Sequence, residues 1–110
     1  MAITLGEFEQ IVLLAILRLD DKAYAVTIRR EIAARADRKP TPGALYTTLD
    51  RLEEKGLVTS RLGDPTPQRG GRAKRYFKVT AKGLSAVARA QRCYRSLLDG
   101  IVLPGVTYAQ

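Results

Sequence analysis

A short segment of the sequence combines glycines with closely spaced cations: Gln68-Arg69-Gly70-Gly71-Arg72-Ala73-Lys74-Arg75. Small residues at a loop tip fit a narrow groove, and arginine and lysine side chains bind the phosphates on either side of it. The surrounding charge is one-sided, because nine basic residues and no acidic residue lie between positions 65 and 98, while the whole chain carries a net charge of +8. The segment therefore predicts contact with a polyanion. Its candidate binding residues are Gly70 at the tip and the cations Arg69, Arg72, Lys74 and Arg75.

Polar residues on one face of a predicted helix form a second candidate surface. Thr41 and Pro42 supply the N-cap hydroxyl and the first helical residue of a helix over residues 42–55. The other side of this helix is apolar. Leu45, Leu49 and Leu52 recur at spacings of three and four residues and fall within about 40° of Leu45 on a helical wheel. The helix is therefore expected to bury one face and to leave the other free.

The free face carries groups that suit a DNA groove. Gly43 permits close approach of the backbone to a phosphate, toward which the helix N-terminus directs its amide donors. Tyr46 and Thr47 can donate hydroxyl hydrogen bonds. Arg51 can contact a phosphate or a guanine edge, and Asp50 can accept a hydrogen bond from a cytosine amine. The candidate recognition residues are Thr41, Pro42, Gly43, Tyr46, Thr47, Asp50 and Arg51.

These two surfaces need a frame that places them side by side. Periodic apolar residues predict helices over residues 5–19 and 25–36 before the helix over 42–55, with Thr4 capping the first helix and Gly56 closing the third. Residues 57–62 and 75–79 predict two strands around the glycine-rich loop. We therefore expect a mainly α fold with a small antiparallel β-hairpin, in which residues 1–80 form a winged helix-turn-helix.

A last helix, predicted over residues 81–103 after a Thr80 cap, carries an apolar stripe although the core is already complete. Such a stripe favours a partner, and a second copy of the same helix is the simplest one. We expect this C-terminal helix to form a homodimer and to be followed by a flexible tail over residues 104–110. The candidate dimer-interface residues are Leu84, Val87, Ala88, Gln91, Tyr94, Leu98 and Ile101.

Other kinds of site find little support in the composition. The chain has no histidine and a single cysteine, Cys93, which excludes an internal disulfide and the usual zinc ligand sets. Cys93 itself is either a structural thiol or a redox switch. No nucleophile elbow or phosphate-binding glycine signature is present, and the acidic pairs Glu53-Glu54 and Asp20-Asp21 are interpreted as surface and turn residues. We expect no catalytic residue, no metal and no cofactor, and a protein that is not an enzyme.

Three kinds of partner remain after these exclusions. No apolar run approaches the roughly 18 residues of a membrane span, and the run over residues 11–17 lacks the features of an export signal, so we expect a cytoplasmic protein at the bacterial nucleoid. Specific binding of double-stranded DNA explains both candidate surfaces. A winged-helix protein–protein interaction module without specific DNA binding does not require one-sided charge, and non-specific binding to RNA or a membrane surface leaves the well-capped third helix unexplained.

The order of these motifs resembles that of the PadR family of transcriptional regulators. The resemblance rests on LGEFEQ over residues 5–10, TPGALYTTL over 41–49, LEEKGLV over 52–58, RGGRAKRYF over 69–77 and TAKG over 80–83. It covers roughly residues 5–98 in order. Each motif alone is a weak signal, whereas their order along the chain is specific.

The resemblance implies a repressor that is homodimeric through its C-terminal helix and binds pseudo-palindromic promoter sites. It gives the recognition role to Pro42, Gly43, Tyr46 and Thr47. It gives the role of the wing, which is the hairpin of residues 57–79 with its glycine-rich loop, to Arg72 and Lys74. Two departures limit it. Tyr24-Ala25 stands where the family often has Tyr-Gly, and the chain has no tryptophan, so the binding of flat drugs between tryptophans is not implied. The operator and any small-molecule effector are left open.

Overall fold

The computed structural model describes residues 4–63 and 73–105. In this part of the chain, three helices precede a two-stranded antiparallel sheet and a fourth helix follows it. The predicted class, mainly α with a small antiparallel hairpin, is confirmed. The elements are α1 (Glu7–Leu19), a 3-10 turn (Asp20–Lys22), α2 (Ala25–Ala36), α3 (Pro42–Glu54), β1 (Val58–Leu62), β2 (Arg75–Val79) and α4 (Ala81–Leu98).

One hydrophobic core joins the first three helices to the hairpin. Each helix contributes the residues that recur at helical spacing, because those side chains lie on one face. Leu45, Leu49 and Leu52 have no solvent exposure, as predicted from their spacing, and each buried leucine contributes about 2 kcal/mol relative to an exposed one. The same core also contains Val12, Leu13, Ile16, Ile28, Ile32, Leu57, Val58 and Phe77.

The start of α1 differs from the prediction. The helix begins at Glu7 with Gly6 as its N-cap, not at residue 5 after Thr4. The Gly6 N–H donates to Glu9 Oε1 at 2.9 Å, so the carboxylate three residues into the helix satisfies the cap backbone. Glu9, and not the Thr4 hydroxyl, therefore defines this helix end.

The hairpin is attached to the helices through the segment that precedes α2. In its register Val58 lies opposite Val79 and Leu62 opposite Arg75. An isolated antiparallel bridge pairs Tyr24 with Tyr76, and the Phe77 N–H donates to the Ala23 carbonyl at 2.9 Å. β2 is thus hydrogen-bonded on both sides, which fixes the base of the hairpin to the start of α2.

A hydrogen-bonded junction holds the end of α3 against the start of α4. The Thr80 N–H donates to the Leu57 carbonyl at 3.0 Å, and the Thr80 hydroxyl donates to the Gly56 carbonyl at 2.7 Å while it accepts from the Gly83 N–H. Thr80 is thus the N-cap of α4, as predicted. Gly56, with φ of +76°, follows the Lys55 C-cap of α3 and closes that helix in the left-handed region.

The other end of α4 lies earlier than predicted. The helix ends at Leu98 instead of continuing to residue 103, because Asp99 is extended (ψ 124°) and Gly100 has φ of +81°. Ile101, expected on the helical stripe, therefore lies beyond the helix. Of the expected tail, residues 104 and 105 form a turn, and residues 106–110 lie outside the described part of the chain.

Gly83 is expected to be essential for the junction. A methyl group there would lie 2.2 Å from the Leu57 carbonyl oxygen and 2.7 Å from Val79 Cγ1, so α4 would have to move away from the sheet. We expect Gly83→Ala to lower the free energy of unfolding by about 3 kcal/mol in urea denaturation, in line with overpacked sites. Gly43→Ala is the control: a methyl there meets no atom within 4 Å beyond its own helix turn and its chain neighbours. Equal stability of the two variants would contradict the close approach.

Candidate nucleic-acid interface

The free face of α3 presents the predicted recognition residues together. Thr41 is the N-cap, and its Oγ1 accepts from the Ala44 N–H at 3.1 Å, while Pro42 occupies the first turn as predicted. Other amide groups of this turn point outward from the helix end and favour an anion. The residues Thr41, Pro42, Gly43, Tyr46, Thr47, Asp50 and Arg51 are all exposed.

Gly43 is the least expected residue on this face when only the chain itself is considered. It lies in the first turn of a helix, where glycine costs up to about 1 kcal/mol relative to alanine. A methyl group added to it would meet no atom within 4 Å beyond its own helix turn and its chain neighbours. Packing inside the described chain therefore gives no reason for glycine here, in contrast to Gly83.

The loop end of the hairpin carries cations stacked on aromatic rings. Lys74 Nζ lies 4.6 Å from the centre of the Tyr24 ring, and the Arg61 guanidinium lies 4.9 Å from that of Tyr76. The two tyrosine rings meet edge to face at 5.5 Å. Lys74 is exposed beside the start of α2. Of the other predicted wing residues, Arg69, Gly70 and Arg72 lie outside the described residues.

Arg75 has a different environment from the one the sequence suggested. Its side chain points across the hairpin to α3, where Nη2 donates to Glu53 Oε1 and Nη1 lies 3.4 Å from Asp50 Oδ1. Its Nε donates to Ser60 Oγ at 3.1 Å, and the Ser60 hydroxyl donates to Glu53 Oε2 at 2.8 Å. Asp50 and Arg75, each assigned to DNA on its own, therefore face each other as a pair.

The carboxylates of Glu53 and Glu9 both have lowered pKa values. The pKa of Glu53 lies below its ordinary value because the Ser60 hydroxyl and the Arg75 guanidinium donate to it, and these effects outweigh partial desolvation. Burial raises the pKa of Glu9, but hydrogen bonds from Lys55 and from the Gly6 N–H outweigh burial and lower it overall. Lys55 Nζ lies 2.6 Å from Glu9 Oε2, so this ion pair ties the end of α3 to the start of α1.

Sequence reasoning missed Glu53 and Ser60. Glu53 was interpreted as a surface residue of an acidic pair, and Ser60 as an ordinary strand residue. Their partner Arg75 is 22 residues from Glu53 along the chain. A usable signal existed in the hairpin register, since Ser60 lies opposite Phe77 and Arg75 is two residues from Phe77 on the same face.

The predicted interface residues of α4 divide into two groups. Val87 is buried in the core of its own chain at 7% exposure, so it is not available to a second copy. Leu84, Ala88 and Tyr94 are exposed, whereas Gln91 and Leu98 are half-buried; Ile101 is exposed beyond the helix end. Leu97, which is not among the predicted interface residues, is 75% exposed.

Within positions 4–63 and 73–105, no group of three or more histidine, cysteine or acidic side chains can hold a metal ion. Cys93 is a free, exposed thiol. In this part of the chain, no helix has the length and apolar character needed to span a membrane.

A family of known proteins accounts for this arrangement of capped helix, hairpin and terminal helix. The model of the transcriptional regulator PadR-like family matches residues 13–89. The chain belongs to the PadR-like family. Transcriptional regulator Rv3488 of Mycobacterium tuberculosis is 32% identical to it over 80 residues, which cover 71% of this chain and 68% of that protein. The resemblance drawn from the motifs is therefore confirmed.

Solved structures of PadR regulators share the fold. A PadR family transcription regulator from Clostridium difficile has a TM-score of 0.69 at 23% identity, covering 84% of this chain and 92% of that one. A PadR family transcriptional regulator from Eggerthella lenta has a TM-score of 0.66 at 24% identity, covering 86% and 82%. The chain is thus a winged-helix protein of a family of transcriptional regulators.

The lowered pKa of Glu53 gives this PadR-like protein a defined acid sensitivity. Because the pKa is lower in the folded chain than in the unfolded one, the stabilisation is present above the ordinary glutamate pKa of 4.5 and is lost as pH falls through the lowered value. We expect Glu53→Gln to lose less of its free energy of unfolding than the parent between about pH 6 and about pH 3 in urea titrations. Glu54→Gln, which has no ion pair to lose in the described structure, should keep the parent profile. Parallel losses in all three proteins would contradict the assignment.

Proposed function

We propose that this PadR-like protein is a sequence-specific DNA-binding repressor that acts as a homodimer on a pseudo-palindromic promoter site. The observation that carries the proposal is Gly43. It is exposed at the N-terminal end of α3, in a helical position where nothing in the described chain requires the absence of a side chain. A phosphate backbone that approaches the helix end supplies the missing reason, because the amide donors and the positive end of the helix dipole lie there.

The two surfaces have different tasks in this proposal. α3 enters the major groove, where Thr47 and Arg51 contact base edges and Tyr46 donates to a phosphate. The hairpin reaches the neighbouring minor groove, and Lys74 contacts the phosphates beside it together with the wing residues Arg69 and Arg72. α3 therefore determines sequence preference, and the cations of the wing supply affinity that depends on salt.

A dimer would place two copies of α3 and of the hairpin on one duplex. Apolar side chains are exposed along α4 and directly after it, namely Leu84, Tyr94, Leu97, Ile101, Val102 and Leu103. A two-fold contact between copies would cover them. The two α3 helices would then enter major grooves about 34 Å apart on the same side of the duplex.

Gly43→Ala tests the close approach of α3 to DNA. We expect the affinity for a duplex selected from a random pool by the parent protein to fall about tenfold, a cost of about 1.4 kcal/mol. A scrambled duplex should lose affinity equally, because the approach is to the backbone. Fluorescence anisotropy measures both, and thermal unfolding should show an equal or higher melting temperature.

Thr47→Ala is the companion variant in the same assay. It should reduce the ratio of affinities for the selected and scrambled duplexes, because Thr47 is assigned to base edges. Parent-like binding by Gly43→Ala would refute the close approach. A pool that yields no preferred duplex would refute sequence-specific binding and favour the protein-interaction module.

Leu97→Asp tests the dimer. Leu97 is 75% exposed, so the charge should not disturb the monomer but should disrupt an apolar contact between copies. Sedimentation velocity should show monomers at concentrations where the parent is dimeric. Leu62→Asp is the matched control, because Leu62 is 71% exposed in β1, away from α4. A monomeric parent would refute the homodimer, and a dimeric Leu97→Asp would show that this apolar surface does not hold the dimer together.

A further inference from the structure

We propose that Glu53, Ser60 and Arg75 form a positioning cluster that fixes the wing at one angle to α3, so that Arg75 affects DNA binding through Glu53 and not through a phosphate. This inference rests on the proposed function, since a fixed angle matters only if α3 and the wing contact one duplex. It makes Arg75 a positioning residue, whereas Lys74 is assigned to a phosphate contact.

The cluster has one member on each of the three elements that set the angle of the wing, namely α3, β1 and β2. Glu53 is in the last turn of α3, Ser60 is in β1 and Arg75 is in β2. Arg75 donates to Glu53 and, at 3.1 Å, to Ser60, and the Ser60 hydroxyl donates to the second oxygen of the same carboxylate at 2.8 Å. Each oxygen of Glu53 therefore has a donor from a different strand. A rotation of the hairpin relative to α3 would break at least one of these hydrogen bonds.

Arginine is the cation that can hold this geometry. Its planar group offers five N–H donors in fixed directions, and here Nε, Nη1 and Nη2 are directed at three different side chains. Its guanidinium carbon also lies 4.9 Å from the centre of the Phe77 ring, and Phe77 is buried in the core. A lysine carries a single point of charge on a flexible stem and cannot make these contacts together.

The charges make Arg75 a poor phosphate ligand in this conformation. Its guanidinium is paired with Glu53 and with Asp50, and its side chain is only 37% exposed. To reach a phosphate it would have to leave Glu53, and the uncompensated carboxylate would then lie close to the DNA. Lys74, one residue earlier, is exposed and has no carboxylate partner among the described residues.

Substitution of Glu53 gives a test in which an electrostatic role and a positioning role predict opposite changes in the affinity for DNA. If this part of the surface contributes only electrostatics, removal of a negative charge strengthens binding to DNA. If Glu53 holds the wing in position, its removal weakens binding although the protein becomes more positive. Glu54 is the matched residue, because it is the neighbour on the same helix, is exposed, and forms no ion pair within the described structure.

The experiment measures the affinities of Glu53→Gln and Glu54→Gln for the duplex that the parent selects from a random pool, by anisotropy at several salt concentrations. We expect Glu54→Gln to bind as tightly as the parent or about twofold more tightly, and Glu53→Gln to bind about tenfold more weakly. Thermal unfolding identifies any variant that fails to fold. Ser60→Ala is the milder substitution: it should weaken binding in the same direction, while Thr59→Ala, its exposed neighbour on β1, should not.

Arg75→Gln and Arg75→Lys give the second measurement, the slope of log affinity against log salt. A phosphate contact adds about 0.9 to this slope. We expect both variants to lose affinity with an unchanged slope. A slope lowered by about one in Arg75→Gln and restored in Arg75→Lys would overturn the inference, as would equal binding by Glu53→Gln and Glu54→Gln. Failure of the parent to select any duplex would instead refute the proposed function.

Discussion

Leu45, Leu49 and Leu52 pack along one side of α3 without solvent exposure, and this contact determines what the rest of the protein can present. Because the leucines hold α3 against α1, α2 and β1, the opposite side of the same helix must face outward. Thr41 and Pro42 then decide where the helix begins, and so which backbone amides remain at its free end. The exposed face therefore follows from the packing of the leucines, and the position of the helix end follows from the cap.

The features that were predictable from the sequence are those that depend on neighbours in the chain. The bounds of α2, the caps at Thr41 and Thr80 and both strands follow from local spacing and residue type. The predicted start of α1 was two residues too early because two caps compete within a few residues. The Glu9 carboxylate reaches the Gly6 amide in preference to a cap at Thr4. Propensity alone does not choose between such neighbours.

The features that were not predictable depend on tertiary contacts. Val87 shares the apolar stripe of α4 with Leu84 and Tyr94, and only the packing of α4 on the core separates the buried residue from the exposed ones. Arg75 sits in a run of cations and looks like another phosphate ligand, but the fold brings two carboxylates of α3 to it. Among the described residues at the loop end of the hairpin, fewer cations are therefore free of carboxylate partners than their number suggests, and Lys74 is one of them.

The junction between α3 and α4 joins the two helices mechanically as well as structurally. Thr80 is hydrogen-bonded to Gly56 and Leu57, and Lys82 Nζ donates to the Lys55 carbonyl at 3.1 Å, so the end of one helix and the start of the next move together. Because α3 is also packed on α1, α2 and β1, these elements would tilt together with it, and its 13 residues place Thr41 about 20 Å from the junction. A tilt of about 10° at α4 would displace Thr41 by about 3 Å, roughly the rise of one base pair. A change in the tilt of α4 would therefore move the exposed face of α3 without any contact to that face.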